Sequence, residues 1–320
     1  MNIKKIGILT SGGDAPGMNA IIYSVVKTAA KKNVEVVGIY RGYNGLINGK
    51  VKNLKLEDVD NIERRGGTIL FSDRCLEFKT EEGLKKAKKT CEEFGIDALV
   101  VVGGDGTFQG AYDLFKIGVP CVGLPGTIDN DISCTEYTLG YDTAVNTAVE
   151  MVDRLCDTIT SHYRCSVVEV MGRNSGYIAL YVGLSCEACY IITKEVEFSE
   201  QDLFLKMKES IKKGKKSFVV VVAESILDVN LLAKKIQENV GVESRATVLG
   251  HVQRGGNPTV KDRVVGTRFG AKAVELLLSG EFGKVVGLKD NELVVYDIPH
   301  ALKMSKTFPK KLFDLAKNLF

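Results

Sequence analysis

Long apolar runs are missing from this chain. Nothing in it approaches the roughly 20 residues that a bilayer-spanning helix needs, so no membrane partner is expected. An excess of one charge is missing too. The 43 basic and 40 acidic residues leave a net +3, and the basic ones are dispersed, which argues against nucleic acid as a partner. Paired metal-binding cysteines are also lacking. The eight cysteines (75, 91, 121, 134, 156, 165, 186 and 189) are scattered. Cys186-x-x-Cys189 has neither a second pair nor a nearby histidine, so a zinc site is disfavoured. Buried, reduced thiols are the better reading, and they imply a cytoplasmic protein. There is no repeat of solenoid period and no low-complexity linker. Met1–Thr10 reads as a core strand entering a functional loop rather than as a cleavable signal. With 320 residues, 45% of them hydrophobic, the chain can bury a full core, and its length favours two domains.

What is present is organised around one stretch. Leu99-Val100-Val101-Val102 runs into Gly103-Gly104-Asp105-Gly106-Thr107, and Pro125-Gly126-Thr127-Ile128-Asp129-Asn130-Asp131 follows. The apolar run has the composition of a buried parallel strand. The glycines after it let backbone N–H groups approach phosphates at the start of the next helix. Asp105 is a hard oxygen ligand suited to a phosphate-bound Mg²⁺. Asp129 and Asp131 alternate in a loop expected to be extended, so one can face a reacting hydroxyl while the other orients or repels. The stretch reads as phosphoryl transfer.

The rest of the chain repeats the strand–glycine–helix pattern. Ile6–Thr10 is a strand that meets Ser11-Gly12-Gly13-Asp14, and Met18 to Ala29 has helical apolar spacing. Val34–Tyr40 is the next strand, with Tyr43 in the loop beyond it. Arg74, after Ser72-Asp73, can bridge phosphates as a planar fork or remain a solvated loop arginine. Helices are expected over about 81–94, 108–116, 143–158 and 263–278, with a short closing helix from Phe308. Ser166–Met171 and Phe218–Ala223 are strands, and Glu224 stands at the carboxyl end of the second, the usual ligand side of an open α/β sheet. Lys212–Lys216 is a basic turn, either solvated or a phosphate site.

Five segments in this order resemble one family, the bacterial ATP-dependent 6-phosphofructokinases. They are S-G-G-D-A-P-G-M-N-A (11–20), G-G-D-G-T (103–107), P-G-T-I-D-N-D (125–131), V-M-G-R (170–173) and T-V-L-G-H-V-Q-R-G-G (247–256). The resemblance covers essentially the whole chain and implies an α/β protein with two three-layer α/β/α domains, mostly parallel sheets and an active site in the cleft between them. It places an ATP-binding domain at 1–139 plus 257–303 and a fructose-6-phosphate-binding domain at 140–256 plus 304–320. The implied reaction is the glycolytic transfer of the γ-phosphoryl group of MgATP to fructose 6-phosphate, in a cytoplasmic, allosteric homotetramer. Gly13, Arg74, Cys75, Gly104, Gly106 and Thr107 would hold ATP, and Asp105 would act through Mg²⁺. Asp129 would be the base, with Thr127 and Asp131 beside it, and Arg173 would stabilise the transferring charge. Met171, Gly172 and Glu224 would position the sugar, and His251 and Arg254 would bind its 6-phosphate. Arg164 and Arg245 would reach the same phosphate across a subunit interface. These roles suit phosphoryl transfer, which needs positioning and charge neutralisation more than covalent chemistry.

Pyrophosphate-dependent relatives typically carry Asp at the position of Gly106 and Lys at that of Gly126, so two glycines favour ATP. A pyrophosphate-dependent enzyme and a non-catalytic regulatory paralogue are the alternatives; intact Asp105, Thr127, Asp129 and Arg173 weigh against the second. Two regions depart from the family pattern. At the effector site, arginines become Tyr23, Lys27, Leu56 and Cys156, and a metal-ligating glutamate becomes Cys189, while Lys213, Lys215 and Lys216 stay basic. Each lost charge-assisted hydrogen bond is worth roughly 1.5–3 kcal/mol, so weak effector control is expected, or a re-specified site with Tyr23 stacking on another ligand. In the nucleotide loop, Phe71 and Asp73 replace small residues, and Asp73 is expected to compete with phosphate for Arg74 and to weaken ATP binding.

Overall fold

The computed structural model describes residues 3–319, which divide into two compact units. The larger holds the residues up to Ile128, then Ile132–Thr143 and Arg254–Lys306. The smaller holds Asp129–Asp131, Ala144–Gln253 and the residues from Thr307 on.

In the larger unit the order is β1 (Lys5–Thr10), α1 (Met18–Ala30), β2 (Glu35–Ile39), α2 (Gly42–Ile47), β3 (Val51–Leu54), α3 (Glu81–Glu93), β4 (Ala98–Gly103), α4 (Asp105–Lys116) and β5 (Cys121–Pro125). Helix α5 (Tyr141–His162) begins there and continues into the smaller unit. The smaller unit goes on with β6 (Cys165–Val170), α6 (Tyr177–Ser185), β7 (Tyr190–Ile192), α7 (Glu200–Lys212), β8 (Phe218–Ala223), α8 (Val229–Val240) and β9 (Ser244–Val248). The chain returns to the larger unit with α9 (Val260–Leu278), β10 (Lys284–Lys289), β11 (Glu292–Asp297) and α10 (Ile298–Ala301), and ends in the smaller unit with α11 (Lys310–Leu319).

The larger sheet has the order β11-β10-β5-β4-β1-β2-β3, parallel except for the antiparallel edge strands β3 and β11. The smaller is β7-β8-β6-β9 and wholly parallel. Ala98–Val102 and Phe218–Ala223 are buried along their length, which is why they read as unbroken apolar runs: helices cover both faces of a parallel sheet. Helix α9 lies close on α1, because Gly266 and Gly270 leave no side chain between them; a Cβ at Gly270 would come within 2.7 Å of Ile21 O. Asp262, fully buried in the first turn of α9, accepts from Tyr137 OH, Gly140 N, Thr143 N and Thr143 Oγ1. One carboxylate thus ties the segment after β5 to the start of α9.

Several local expectations are corrected. Tyr43 lies in α2 rather than in a loop. Helix α4 starts at Asp105, three residues before Phe108, because Gly104 turns directly into it (φ −96°, ψ −167°). The Asp129–Asp131 loop is not extended: Asn130 is left-handed at φ 50°, so the two aspartates flank a turn. Met1, Asn2 and Phe320 lie outside the described residues.

Candidate active site

In the larger unit the predicted nucleotide residues gather at the carboxyl ends of neighbouring strands β1, β4 and β5. Ser11 N donates to Val102 O at 2.9 Å, and Gly126 N donates to Gly103 O at 3.0 Å, which fixes the three turns against one another. Gly104 caps α4 without a side-chain hydrogen bond, leaving the positive end of the helix dipole to a ligand. A Cβ on Gly104 or on Gly106 would meet nothing within 4 Å, so the space above this helix end is open. Gly126 is different. A Cβ there would lie 2.9 Å from Val102 Cγ1 and 3.2 Å from Met18 Cε, so a long side chain is excluded without rearrangement.

Partial desolvation pushes the Asp105 carboxyl above its ordinary value, while the side chain itself stays exposed to solvent at the open helix end, where a ligand can reach it. A hard divalent cation fits it. No cluster of three or more His, Cys, Asp or Glu side chains suited to a metal exists among the described residues, so such a cation would take its other ligands from phosphate and water. Thr107 is buried, with its carbonyl accepting from Tyr43 OH at 2.6 Å, and the Tyr43 ring stacks on Phe78 with centroids 3.8 Å apart. Cys75 packs on the same core, and Thr127 O accepts from Thr138 Oγ1.

Gly13 and Arg254 are brought together. A Cβ on Gly13 would come within 2.4 Å of Arg254 Nη1, which donates to Asp14 O at 2.9 Å. Arg74 is exposed, and among the described residues its guanidinium makes no ion pair. The expected competition from Asp73 is absent: that carboxylate is engaged by Arg41 Nη2 (3.0 Å), Asn44 Nδ2 (2.9 Å) and Arg74 N (2.8 Å).

In the smaller unit, β6 ends at Val170 and leads into Met171-Gly172-Arg173. Arg173 is left-handed (φ 56°), a strained geometry for a non-glycine residue and one held by its neighbours. The holder is Glu224, just past β8, whose Oε1 accepts from Gly172 N (3.1 Å) and Arg173 N (2.6 Å). Met171 N donates to Oε1 of the fully buried Gln253 at 3.2 Å, which sequence reasoning passed over. Asp129 is buried and Asp131 half-buried. His251 is exposed, beyond the carboxyl end of β9.

Arg164 and Arg245 lie elsewhere. They stand at the amino ends of the paired strands β6 and β9, the opposite edge from Arg173 and His251. A six-residue strand separates the two edges by about 20 Å. Glu243, also unforeseen, holds both arginines: Arg164 Nε at 2.8 Å from Oε2, and Arg245 Nη2 at 2.8 Å from Oε1. Hydrogen bonds from Arg164, then from Arg245, hold the Glu243 carboxyl below its ordinary value. The signal for Glu243 was available, since residues 243 and 245 share one face of a strand.

Of the effector-site positions, Lys27 lies over the Tyr23 ring at 5.5 Å and Leu56 is exposed, both in the larger unit. In the smaller unit Cys156 is half-buried, Lys213 and Lys215 are exposed, and Cys189 is buried with its thiol pushed up to about 12 by burial. All eight cysteines are free thiols.

Two mostly parallel α/β sheets and a glycine-capped helix end open to an anion define the class as a phosphate-binding α/β protein. The chain belongs to the phosphofructokinase family: the family model "Phosphofructokinase" matches residues 5–277. It is 51% identical over 314 residues to an ATP-dependent 6-phosphofructokinase of Clostridium botulinum, covering 98% of each chain. Among solved structures, a phosphofructokinase from Saccharomyces cerevisiae matches 98% of this chain at TM-score 0.89 and 34% identity; this chain spans 47% of that longer one. A pyrophosphate-dependent phosphofructokinase from Marinobacter aquaeolei matches with TM-score 0.86 at 20% identity, covering 97% of this chain and 86% of its own. That last likeness is of fold alone, so the fold does not choose the phosphoryl donor. No helix among the described residues is long and apolar enough to cross a membrane.

Proposed function

We propose that this chain transfers the γ-phosphoryl group of ATP to the 1-hydroxyl of fructose 6-phosphate, as a cytoplasmic glycolytic kinase. The reaction is supported by the near-complete coverage and 51% identity with the ATP-dependent 6-phosphofructokinase. The observation that carries the choice of ATP is the pair of glycines. Gly106 keeps the space beside the helix end free of a side chain, and Gly126 does not admit the lysine of a pyrophosphate-type site without rearrangement of Val102 and Met18.

The turns around Gly13, Arg74, Cys75, Gly104, Gly106 and Thr107 bind ATP, within the ATP-binding domain at 1–139 plus 257–303. Asp105 would hold a Mg²⁺ ion, which would supply neutralisation of the phosphate charge. Asp129 accepts the proton of the attacking hydroxyl, with Thr127 and Asp131 orienting it, so that oxygen closes on γ-phosphorus as ADP leaves. Arg173, held in its strained turn by Glu224, neutralises the charge spread over the moving phosphoryl group. Met171, Gly172 and Glu224 position the sugar, and His251 and Arg254 bind its 6-phosphate. Arg164 and Arg245 reach that phosphate from a neighbouring subunit of a homotetramer; their place at the far edge of the sheet supports a contribution to another chain's site. The residues at Tyr23, Lys27, Leu56, Cys156, Cys189, Lys213 and Lys215 leave little to hold a phosphorylated effector.

The test is a coupled assay with MgATP and, separately, pyrophosphate, each with and without ADP and phosphoenolpyruvate. Turnover with ATP that ignores both effectors is the expected result. Turnover with pyrophosphate alone overturns the donor, strong inhibition by phosphoenolpyruvate overturns the effector reading, and no turnover with either donor sinks the kinase.

A further inference from the structure

The loop that carries Arg74 is short of regular structure. It follows Phe71, which is left-handed (φ 55°) and 61% exposed, and no strand or helix holds residues 71–75. An arginine on such a loop binds phosphate well only if its backbone is fixed, because ordering a free loop opposes binding. What fixes it is a set of hydrogen bonds that converge on Asp73. Its Oδ2 accepts from Asn44 Nδ2 and pairs with Arg41, its Oδ1 accepts from Arg74 N, and its carbonyl accepts from Gly12 N at 3.2 Å. The partners are themselves anchored. Arg41, left-handed at the cap of α2, donates its N–H to Leu70 O at 2.7 Å, and Asn48 Nδ2 donates to Asn44 Oδ1 at 2.8 Å, which turns the Asn44 amide so that its NH₂ faces Asp73. Ser72 Oγ donates to Gly12 O, and Thr10 Oγ1 donates to Phe71 O at 2.8 Å.

We propose that Asp73 is a positioning residue for nucleotide binding: it joins the Arg74 loop to α2 and to the Gly12–Gly13 turn, and so presents the Arg74 guanidinium to the phosphates of ATP. This reverses the expectation that an added carboxylate beside Arg74 draws the guanidinium away. The carboxylate is engaged by Arg41, Asn44 and the backbone N–H of Arg74, and the Arg74 guanidinium is left to the ligand. The proposal rests on the reading of Gly13 and Arg74 as ATP ligands.

The experiment measures KM for ATP, KM for fructose 6-phosphate, kcat and the melting temperature of Asp73→Ala, Asp73→Asn, Arg41→Ala, the Arg41→Ala/Asp73→Ala double variant and Arg74→Gln. Asp73→Ala should raise KM for ATP on the order of tenfold, the size expected when a binding group is misplaced rather than removed. KM for fructose 6-phosphate should move far less. Asp73→Asn keeps an acceptor for Arg74 N but loses the charge facing Arg41, so its rise should be intermediate. The double variant should be no worse than Asp73→Ala, because both changes break one linkage. An unchanged or lowered KM for ATP in Asp73→Ala overturns the proposal in favour of competition. A lower melting temperature with both KM values moved alike overturns it in favour of a purely structural role. If Arg74→Gln itself leaves KM for ATP unchanged, the underlying ATP-site reading fails, and the proposal with it.

Discussion

Two glutamates show how a carboxylate can serve a reaction through its neighbours. Glu224 was expected to touch the sugar, yet one of its oxygens is occupied by the N–H groups of Gly172 and Arg173. Removing it should let the left-handed Arg173 turn relax. Glu224→Ala is therefore expected to lower kcat by roughly 10–100-fold, beyond any change in KM for the sugar phosphate; steady-state kinetics at saturating ATP checks this. Glu243 holds Arg164 and Arg245, and its carboxyl is depressed below the ordinary glutamate value of 4.5. A group whose folded value is depressed stabilises the fold above its unfolded value and loses that contribution as pH falls through the depressed one. The melting temperatures of the native chain and of Glu243→Gln should thus differ by a constant amount near neutral pH and converge only below about pH 4.5. Convergence at a higher pH would contradict the pairing.

At the scale of elements, the junction of α9 with the segment after β5 depends on Asp262. Its replacement by alanine leaves buried donors at Tyr137, Gly140 and Thr143 without an acceptor. Each such donor costs about 1–3 kcal/mol, so Asp262→Ala should destabilise the protein by on the order of 3 kcal/mol or more in denaturant titration. Nothing local in the sequence announces this, since Asp262 and Tyr137 stand 125 positions apart. Strands β4 and β8 were legible because burial on both faces makes them continuous apolar runs. Helix α6 was not: Tyr177–Ser185 is apolar on nearly every side and lacks the polar stripe that marks a surface helix. The hairpin β10–β11 escaped notice as well, since Glu292–Asp297 is a half-exposed edge strand without a fully buried face. The glycine turns after β1 and β4 were legible because each directly follows an apolar strand, whereas Arg173 was singled out only by the resemblance of its V-M-G-R segment. Arg41 and Asn44, the partners of Asp73, were not, because they come from a separate helix about thirty positions earlier.

For the whole molecule, the position of Arg164 and Arg245 has a genetic counterpart. If these arginines complete the 6-phosphate site of a neighbouring copy, then two inactive chains can repair each other. A variant at Arg164 (Arg164→Ser) and a variant at His251 (His251→Ala) should each be nearly silent at low fructose 6-phosphate when purified alone. Dissociated, mixed and reassembled, they should regain a fraction of native activity, because some sites then receive His251 from one chain and Arg164 from another. If the mixture stays as inactive as its parts, the arginines serve their own chain. Where the mixture recovers, damage at these positions behaves as recessive at the level of the assembly, and the sugar-phosphate affinity of any one chain is a property it shares with its neighbours.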